Sequence, residues 1–275
     1  MPPDVSPLRI FAPHSHESTA GELAARELLR HAGRDNGRGL EPLSRAWFEE
    51  IEQKRYARAG RWLPPVLEFS RHRDESLLML GPGLGTDALH YLRHGARVTM
   101  AVTPRDAVDA IRRNFAHRGL EPKLVSVEST ERLSFSNGQF DLAYLNFLHE
   151  PSAGLPATVA ELYRVLKAGG KLFALVPARF DVDRWQRWLL PYRQLYRESF
   201  DPLTGPKVTA RELRKSCTGF EGFSIQKRHL RRSELPHLWR ALPVSLLERV
   251  AGRVLALRAT KPVRAAMAAA ITVAA

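Results

Sequence analysis

The residues best suited to chemistry form a glycine-rich turn within the stretch LLMLGPGLGTD, residues 77–87. Gly81, Gly83 and Gly85 follow a short apolar run directly, and Thr86 opens the next predicted helix. Glycines at this spacing allow positive φ angles and let a ligand approach the backbone closely. The start of the helix would offer free N–H groups and the positive end of a helix dipole. The stretch therefore indicates a site for a nucleotide-like ligand.

The glycine spacing alone leaves the ligand open. The dinucleotide fingerprint G-x-G-x-x-G needs a glycine where this chain has Thr86, so a nicotinamide cofactor is disfavoured. A phosphate-binding loop would end in Gly-Lys-Ser or Gly-Lys-Thr, which the turn lacks. A tight strand-to-helix turn that binds nothing remains an alternative interpretation.

The elements that position this turn alternate between strand and helix. Apolar runs between residues 76 and 177 predict five strands, and two more are predicted at 223–230 and 254–260. The predicted intervening helices span residues 86–95, 104–119 and 155–170. Alternation with short links is typical of right-handed βαβ units on a parallel sheet, where ligands lie at the carboxyl ends of the strands. We therefore expect an α/β fold with the glycine turn at the ligand-binding edge.

A helix is predicted before the first strand, from residue 43 to residue 63. Trp47, Phe48 and Ile51 lie on one broad stripe of it, and Pro64 with Pro65 is expected to close it.

The chain divides into three predicted parts. Residues 1–41 form a weakly ordered N-terminal extension, residues 42–262 a single domain, and residues 263–275 an Ala-rich C-terminal tail. Within the domain, residues 178–207 form a candidate lid insertion rich in aromatic residues. Its aromatic side chains at helical spacing are Trp185, Trp188, Tyr192 and Tyr196. A helix that packs on the sheet is the simpler alternative to a lid.

The chain carries a formal charge of +13, from 42 basic and 29 acidic residues. Most of the basic residues are arginines spread evenly along the chain, which argues against a dedicated nucleic-acid footprint. Two local arginine clusters leave a nucleic-acid partner as an alternative. They are Arg55, Arg58, Arg61 and Arg228, Arg231, Arg232.

Several classes of site and partner are disfavoured by the sequence. Cys217 is the single cysteine, so no intrachain disulfide or multi-cysteine zinc site is expected, and a cytoplasmic location fits best. His14 and His16 lack a nearby third ligand, so a solvated loop is favoured over a metal site. No apolar run reaches the roughly 18 to 20 residues that cross a bilayer, and we expect no membrane partner. The oligomeric state is left open.

Four stretches of the chain resemble the class I S-adenosylmethionine-dependent methyltransferases, specifically the type 11 methyltransferase domain, over about residues 45–262. The glycine stretch is one, and GARVTMAVTPRDAVDAIRRNF matches the second strand and helix. STERLSFSNGQFDLAYLNFLHE corresponds to the segment that ends the fourth strand, and ATVAELYRVLKAGGKLFALVP to the next helix and strand. The last two stretches are the most specific. The resemblance implies a Rossmann-like, seven-stranded, mostly parallel sheet of order 3-2-1-4-5-7-6, with helices on both faces and the seventh strand antiparallel.

The resemblance also implies S-adenosyl-L-methionine as cofactor and assigns candidate roles. Gly81, Gly83, Gly85 and Thr86 would lie under its methionine and ribose parts. Glu128 would accept a hydrogen bond from the adenine amino group, with Thr130 or Glu131 as alternatives if the register slips. Asn146, Phe147 and His149 would border the sulfonium and the methyl acceptor. Arg55 and Tyr56 would cover the cofactor and pair with its carboxylate, although a surface arginine and a core tyrosine are equally compatible.

Two acids that the family usually carries are missing. Met79 stands two residues before the first glycine, and Ala101 stands where an acid usually holds the ribose hydroxyls. Because a charge-assisted hydrogen bond contributes about 1.5 to 3 kcal/mol, losing the ribose contact would weaken cofactor binding roughly ten- to a hundred-fold. Thr103 or Asp106 could replace part of it.

The resemblance predicts methyl transfer to a small-molecule acceptor, with His149 as candidate base because histidine titrates near neutral pH. A packing role for His149 is the alternative. A catalytically degenerate binding or scaffold protein is the second function considered, prompted by Met79 and Ala101. A nucleic-acid methyltransferase is the third, prompted by the charge, although the chain lacks a recognisable RNA-binding module.

Overall fold

A computed structural model describes residues 39–104, 106–149, 154–190, 192 and 203–263. Its strands are β1 Ser76–Leu80, β2 Arg97–Val102, β3 Leu124–Ser126, β4 Phe140–Asn146, β5 Leu166–Pro177, β6 Glu221–Arg228 and β7 Val254–Thr260. They form one sheet in the order β3-β2-β1-β4-β5-β7-β6, in which β7 runs antiparallel to both neighbours and the other pairs are parallel. The predicted α/β class, strand order and antiparallel seventh strand are confirmed.

The helices flank both faces of this sheet. They are α1 Arg45–Tyr56, α2 Leu63–Leu67, α3 Thr86–Arg93, α4 Val108–Ala116, α5 Leu155–Val165, α6 Val182–Leu189, α7 Ala210–Ser216 and α8 Val244–Ala251. The side chains of β1 are apolar on both faces of the sheet, because helices cover both faces. Leu78 and Leu80 pack in the cluster that includes α5 and α7, whereas Leu77 and Met79 pack in the cluster that includes α3 and α4. Among the described residues, none of the helices is both long and apolar enough to cross a bilayer.

Two predicted helix ends are wrong, each for a local reason. α1 ends at Tyr56 instead of running to the prolines, and Pro64 and Pro65 instead begin α2. Proline suits the first turn of a helix because its missing N–H would have no partner there. α5 ends at Val165, because Leu166 adopts an extended conformation and pairs with β4.

The segment after β5 leaves the sheet and returns beside its own starting point. Ala178 pairs with Val208 in an isolated parallel bridge, and the N–H of Val208 donates to the carbonyl of Pro177 at 3.1 Å. Between these points, α6 packs on α8 through Val182 and Ala251. The predicted insertion therefore leaves and rejoins the domain at one place. The predicted N-terminal extension and C-terminal tail lie almost wholly outside the described residues.

Candidate cofactor and acceptor site

The glycine turn connects β1 to α3 through three glycines in left-handed conformations, with φ of +65° at Gly81, +58° at Gly83 and +77° at Gly85. A Cβ on Gly81 would lie 2.1 Å from the Asn146 carbonyl oxygen, and one on Gly85 would lie 2.7 Å from the Phe115 ring. A Cβ on Gly83 would have no atom within 4 Å. The outer glycines are thus required by packing, whereas the middle one faces open space where a ligand can approach.

The N-terminus of α3 adds hydrogen-bond donors to this edge. Gly85 is its N-cap, so no side chain caps the first turn. The carbonyl of Leu84, just before it, accepts a 2.6 Å hydrogen bond from Asn114 of α4, which fixes the turn. Uncapped N–H groups at a helix start can receive negatively charged or polar groups of a ligand.

Asp87, in the first turn of α3, is the centre of a buried polar network. Arg55 donates two hydrogen bonds to its carboxylate, at 2.7 Å from Nε and 2.5 Å from Nη2. The hydroxyl groups of Tyr56 and Tyr144 donate at 2.6 and 2.7 Å. Burial alone would raise the pKa of Asp87, but the charge of Arg55 and the four hydrogen bonds outweigh it and hold the pKa below its ordinary value.

This network settles part of the sequence interpretation. Arg55 and Tyr56 are neither a free surface arginine nor a purely apolar core tyrosine, since both bind Asp87. The side chain of Arg55 is still 26% exposed, so it is only partly covered at the start of α3. Tyr144 was missed, although its hydroxyl in an otherwise apolar strand was a signal that a buried partner must exist.

The two positions that lack the usual acids lie inside the protein. Met79 is 0% exposed and Ala101 1% exposed, each packed in a hydrophobic cluster. Next to them, Thr103 donates to Oδ2 of Asp106 from its N–H at 2.7 Å and from Oγ1 at 2.9 Å. Burial raises the pKa of Asp106, against the two hydrogen bonds from Thr103. The following residue, Ala107, packs against the turn residue Leu84.

Of the three residues considered for the adenine edge, two are engaged elsewhere. Thr130 Oγ1 lies 3.1 Å from Oγ1 of Thr158, and Glu131 Oε1 accepts from the N–H of Gly154 at 3.0 Å. Glu128 is exposed just after β3. Among the described residues, the Glu128 carboxylate has no hydrogen bond of the kind that engages Thr130 and Glu131.

The end of β4 carries the predicted acceptor residues in different environments. Asn146 is half-buried against Gly81, whereas Phe147 is a fully buried core side chain and does not border an open site. His149 is exposed, and its carbonyl accepts from Thr204 Oγ1 at 3.0 Å. The chain that returns from the insertion thus crosses directly over the end of β4.

His229, which the sequence interpretation missed, lies in the same region. It follows β6 with a left-handed φ of +67°, and its N–H donates to Glu248 at 2.8 Å. Burial, with the charges of Arg231, Arg253, Arg55 and His149, lowers the pKa of His229 to about 3. The imidazole is therefore neutral at physiological pH. The signal was its place at the carboxyl end of a strand, on the ligand-binding edge.

The other sequence candidates have different outcomes. Members of both Arg clusters are engaged within the protein: Arg55 binds Asp87, Arg228 binds Gln226 and Glu248, and Arg232 donates to the Arg240 carbonyl. Cys217 is buried, and burial raises the pKa of its thiol to about 12. His14, His16 and Tyr196 lie outside the described residues.

The predicted lid aromatics differ in exposure, although the rings of Trp185 and Trp188 lie side by side with centroids 5.5 Å apart. Trp185 packs against α8, where its Nε1 donates to the Val250 carbonyl at 3.2 Å. Trp188 is 74% exposed and Tyr192 is 68% exposed. Within the insertion, α6 packs on α8, whereas Leu203 packs in the cluster that includes β1 of the sheet.

Comparison with known proteins agrees with this architecture. A family model described as a methyltransferase domain matches residues 78–174. Malonyl-acyl-carrier-protein O-methyltransferase of Serratia marcescens is 26% identical over 210 residues, which cover 71% of this chain and 76% of that protein.

Two solved structures share the fold. The crystal structure of geranyl diphosphate C-methyltransferase from Streptomyces coelicolor, in complex with Mg²⁺, geranyl-S-thiolodiphosphate and S-adenosyl-L-homocysteine, is 18% identical with a TM-score of 0.54. It covers 91% of this chain and 100% of that one. The (4+2)-cyclase SpnF is 20% identical with a TM-score of 0.56, covering 90% and 96%. Together with the sheet order and the glycine turn, these matches show a methyltransferase domain over residues 78–174 and the fold of the class I methyltransferases.

Proposed function

We propose that this chain binds S-adenosylmethionine at the carboxyl ends of β1 and β2 and transfers its methyl group to a small-molecule acceptor. The observation that carries the proposal is the open side of Gly83 beside the uncapped start of α3. Both named methyltransferase relatives support a small acceptor group, since one is named for a malonyl group carried by acyl-carrier protein and the other for geranyl diphosphate. A cytoplasmic location is part of the proposal, supported by the single buried cysteine.

The residues present fit this cofactor even though two usual acids are missing. Asp106 has both Thr103 hydrogen bonds on Oδ2, which leaves Oδ1 for the ribose hydroxyls. Glu128 would accept from the adenine amino group. Arg55, already held by Asp87, would face the methionine carboxylate with its exposed side. Asp106 would thus bind the ribose hydroxyls, a role that Ala101 cannot fill.

When bound, the cofactor supplies a methyl group on a positively charged sulfur. The remaining work falls to the chain, which must orient the acceptor in line with that methyl group and exclude water. For an oxygen or nitrogen acceptor, His149 would remove the proton at the end of β4. His229, whose pKa is about 3, holds a proton too weakly for that role and serves as a neutral hydrogen-bonding group.

Calorimetric titration of the full chain with S-adenosylmethionine and S-adenosylhomocysteine tests the proposal. Asp106→Asn should weaken binding roughly ten-fold, because the lost charge-assisted hydrogen bond contributes about 1.5 kcal/mol. Asp109→Asn is the matched control, since Asp109 is exposed on the same segment. Absence of binding at millimolar ligand would refute the proposal, and an unchanged affinity of Asp106→Asn would assign the ribose to another group.

A second pair of variants tests the turn itself. Gly83→Ala should lower cofactor affinity at least ten-fold, because the methyl group would enter the ligand's space. Gly138→Ala is the matched control, since Gly138 has a similar φ of +61° and its nearest atom to an added Cβ is 4.0 Å away. Equal affinities of the two variants would show that the turn is structural only. Ala101→Asp is a poor test, because it would bury a carboxylate in the core.

A binding protein without methyl transfer is the second candidate function. It is favoured by the loss of both acids, and SpnF, described as a (4+2)-cyclase, shows that this fold can carry another reaction. Formation of S-adenosylhomocysteine with a panel of small carboxylic acids, phenols and amines separates the two. Cofactor binding without any such turnover would favour this alternative.

A further inference from the structure

The described residues expose their large apolar side chains mainly in one place. Of the eleven that are exposed, eight lie in residues 180–192 and 238–250, which we call the apolar-basic face. The members on helices and their flanks are Trp188, Leu189, Leu238, Leu242, Leu246 and Val250. Leu238 is 75% exposed and Trp188 74%. Single exposed apolar residues are ordinary, but a concentration of this kind marks an interaction surface.

The two stretches form one continuous surface. Trp185 of α6 donates its indole N–H to the Val250 carbonyl of α8, and Val182 and Ala251 are buried between the helices. The packed sides of α6 and α8 are therefore already covered. The apolar residues of the face lie on the sides that point away from the protein.

The charges of this face are mainly positive. Arg184, Arg187 and Arg249 are exposed on the same two helices. Asp181 is 2% exposed and pairs with Lys207, and Glu248 accepts from His229, whereas Asp183, next to Arg184, is partly exposed. The surface thus presents arginines among tryptophan and leucine side chains.

A basic cavity opens at the rim of the face. It measures about 340 Å³ and is lined by Arg179, Lys227 and Arg249 together with apolar side chains that include Phe180 and Leu255. Lys227 Nζ donates to the carbonyls of Phe180, at 2.6 Å, and Val250, and Arg179 pairs with Glu212. The positive charges beside apolar side chains suit an acidic headgroup attached to an apolar chain.

We propose that the apolar-basic face binds the surface of a bilayer that contains anionic lipids. Tryptophan and tyrosine favour the bilayer interface, leucine inserts below it, and arginine reaches the anionic headgroups. Each basic residue near such a surface adds to the attraction. This mode of binding needs no helix that crosses the bilayer, so it is compatible with the absence of a long apolar run.

Charge and shape favour this occupant over the others. In a two-fold pair of copies the same arginines would face each other across the interface, which is unfavourable. An acidic protein would need a groove or pocket for its anchoring residues, whereas the apolar side chains here stand out from convex helices. A bilayer accepts protruding side chains at any spacing.

Co-sedimentation of the full chain with vesicles tests the proposal. Binding to vesicles of phosphatidylcholine with 30% phosphatidylglycerol should be at least ten-fold tighter than to phosphatidylcholine alone. Trp188→Ser combined with Leu246→Ser, and separately Arg184→Gln combined with Arg249→Gln, should each weaken it at least ten-fold. The matched control is Arg112→Gln combined with Arg113→Gln, which removes the same charge from the exposed side of α4 and should leave binding unchanged.

Three results would overturn the proposal. One is equal binding to neutral and anionic vesicles, and another is an equal loss in the control variant. The third is dimerisation in light scattering that requires Trp188, with no vesicle binding, which would assign the face to a second copy. Circular dichroism and thermal unfolding of each variant confirm that a loss of binding is not a loss of folding.

Discussion

Two buried ion pairs, one on each side of the site, differ in how well the protein supports them. Asp87 receives two bonds from Arg55 and two from tyrosine hydroxyls, and its pKa lies below the ordinary value. Glu234 is equally buried but has a single 3.2 Å contact with Arg253 and a backbone N–H from Arg231. Burial therefore raises the pKa of Glu234 above its ordinary value.

The comparison shows that an opposite charge nearby does not by itself stabilise a buried carboxylate. The number and alignment of the donors decide whether they outweigh the cost of leaving water. On the glycine-turn side this cost is overcome, which gives α1 and α3 a rigid connection under the proposed cofactor site. At the Glu234–Arg253 pair, beside β6 and α8, the cost of burial is not overcome. The apolar-basic face is exposed in the same region.

The largest expected effect comes from breaking the better pair. Asp87→Asn leaves the largely buried side chain of Arg55 without its counter-charge, which should lower the free energy of unfolding by about 3 kcal/mol. Urea unfolding at pH 7 measures it. Asp109→Asn, on the exposed side of α4, should change stability by less than about 0.5 kcal/mol. A loss below about 1 kcal/mol for Asp87→Asn would contradict the network.

Glu234→Gln should cost less, about 1 to 2 kcal/mol, because the amide keeps a hydrogen-bond acceptor and removes a poorly solvated charge. Its pH dependence should also be opposite in sign. The folded pKa of Asp87 is lowered, so its stabilisation is present above pH 3.8 and disappears as the pH falls further. The folded pKa of Glu234 is raised, so its contribution is present below pH 4.5 and is lost as the pH rises. Parallel pH profiles for the two variants would refute the contrast.

His229 should make the stability of the protein depend on pH under mildly acidic conditions. Its folded pKa of about 3 lies below the unfolded value of 6.5, so the folded state binds fewer protons. The stabilisation is complete above pH 6.5 and is lost as the pH falls towards 3, which amounts to about 1 kcal/mol by pH 5.5. His229→Asn, which tolerates the left-handed backbone, should flatten the stability profile between these pH values. An unchanged slope would show that His229 is not buried in this way.

The smallest effect is expected on the apolar-basic face. Trp188→Ser and Leu246→Ser replace mostly exposed side chains and should change the unfolding free energy by less than about 0.5 kcal/mol. Differential scanning calorimetry with the buried-side variant Val182→Ala as comparison measures this. A large loss for Trp188→Ser would mean that this side chain is packed rather than free to bind.

The sheet and the turn could be predicted because their signals are local. An apolar run followed by three glycines determines β1, the left-handed turn and the start of α3. Asp87 was within the quoted stretch, but its role depends on partners 32 and 57 residues away in sequence. Nothing local reveals those contacts. The same holds for His229, whose pKa depends on charges from three distant segments as well as on nearby Arg231.

The aromatic insertion shows a different limit. Spacing placed Trp185 and Trp188 near one helical face, and their ring centroids are 5.5 Å apart, but Trp185 packs against α8 whereas Trp188 stays exposed. The prolines after α1 were misread for a related reason, since proline ends one helix and begins another with similar sequence signals.

The bridge between Ala178 and Val208 makes the insertion a replaceable module. Its two ends are joined in space, so the part of the insertion that does not contact the end of β4 can change in length without moving β5 or the glycine turn. Evolution or an engineer could therefore change what this protein methylates, or where it acts, without rebuilding the part that holds the methyl donor.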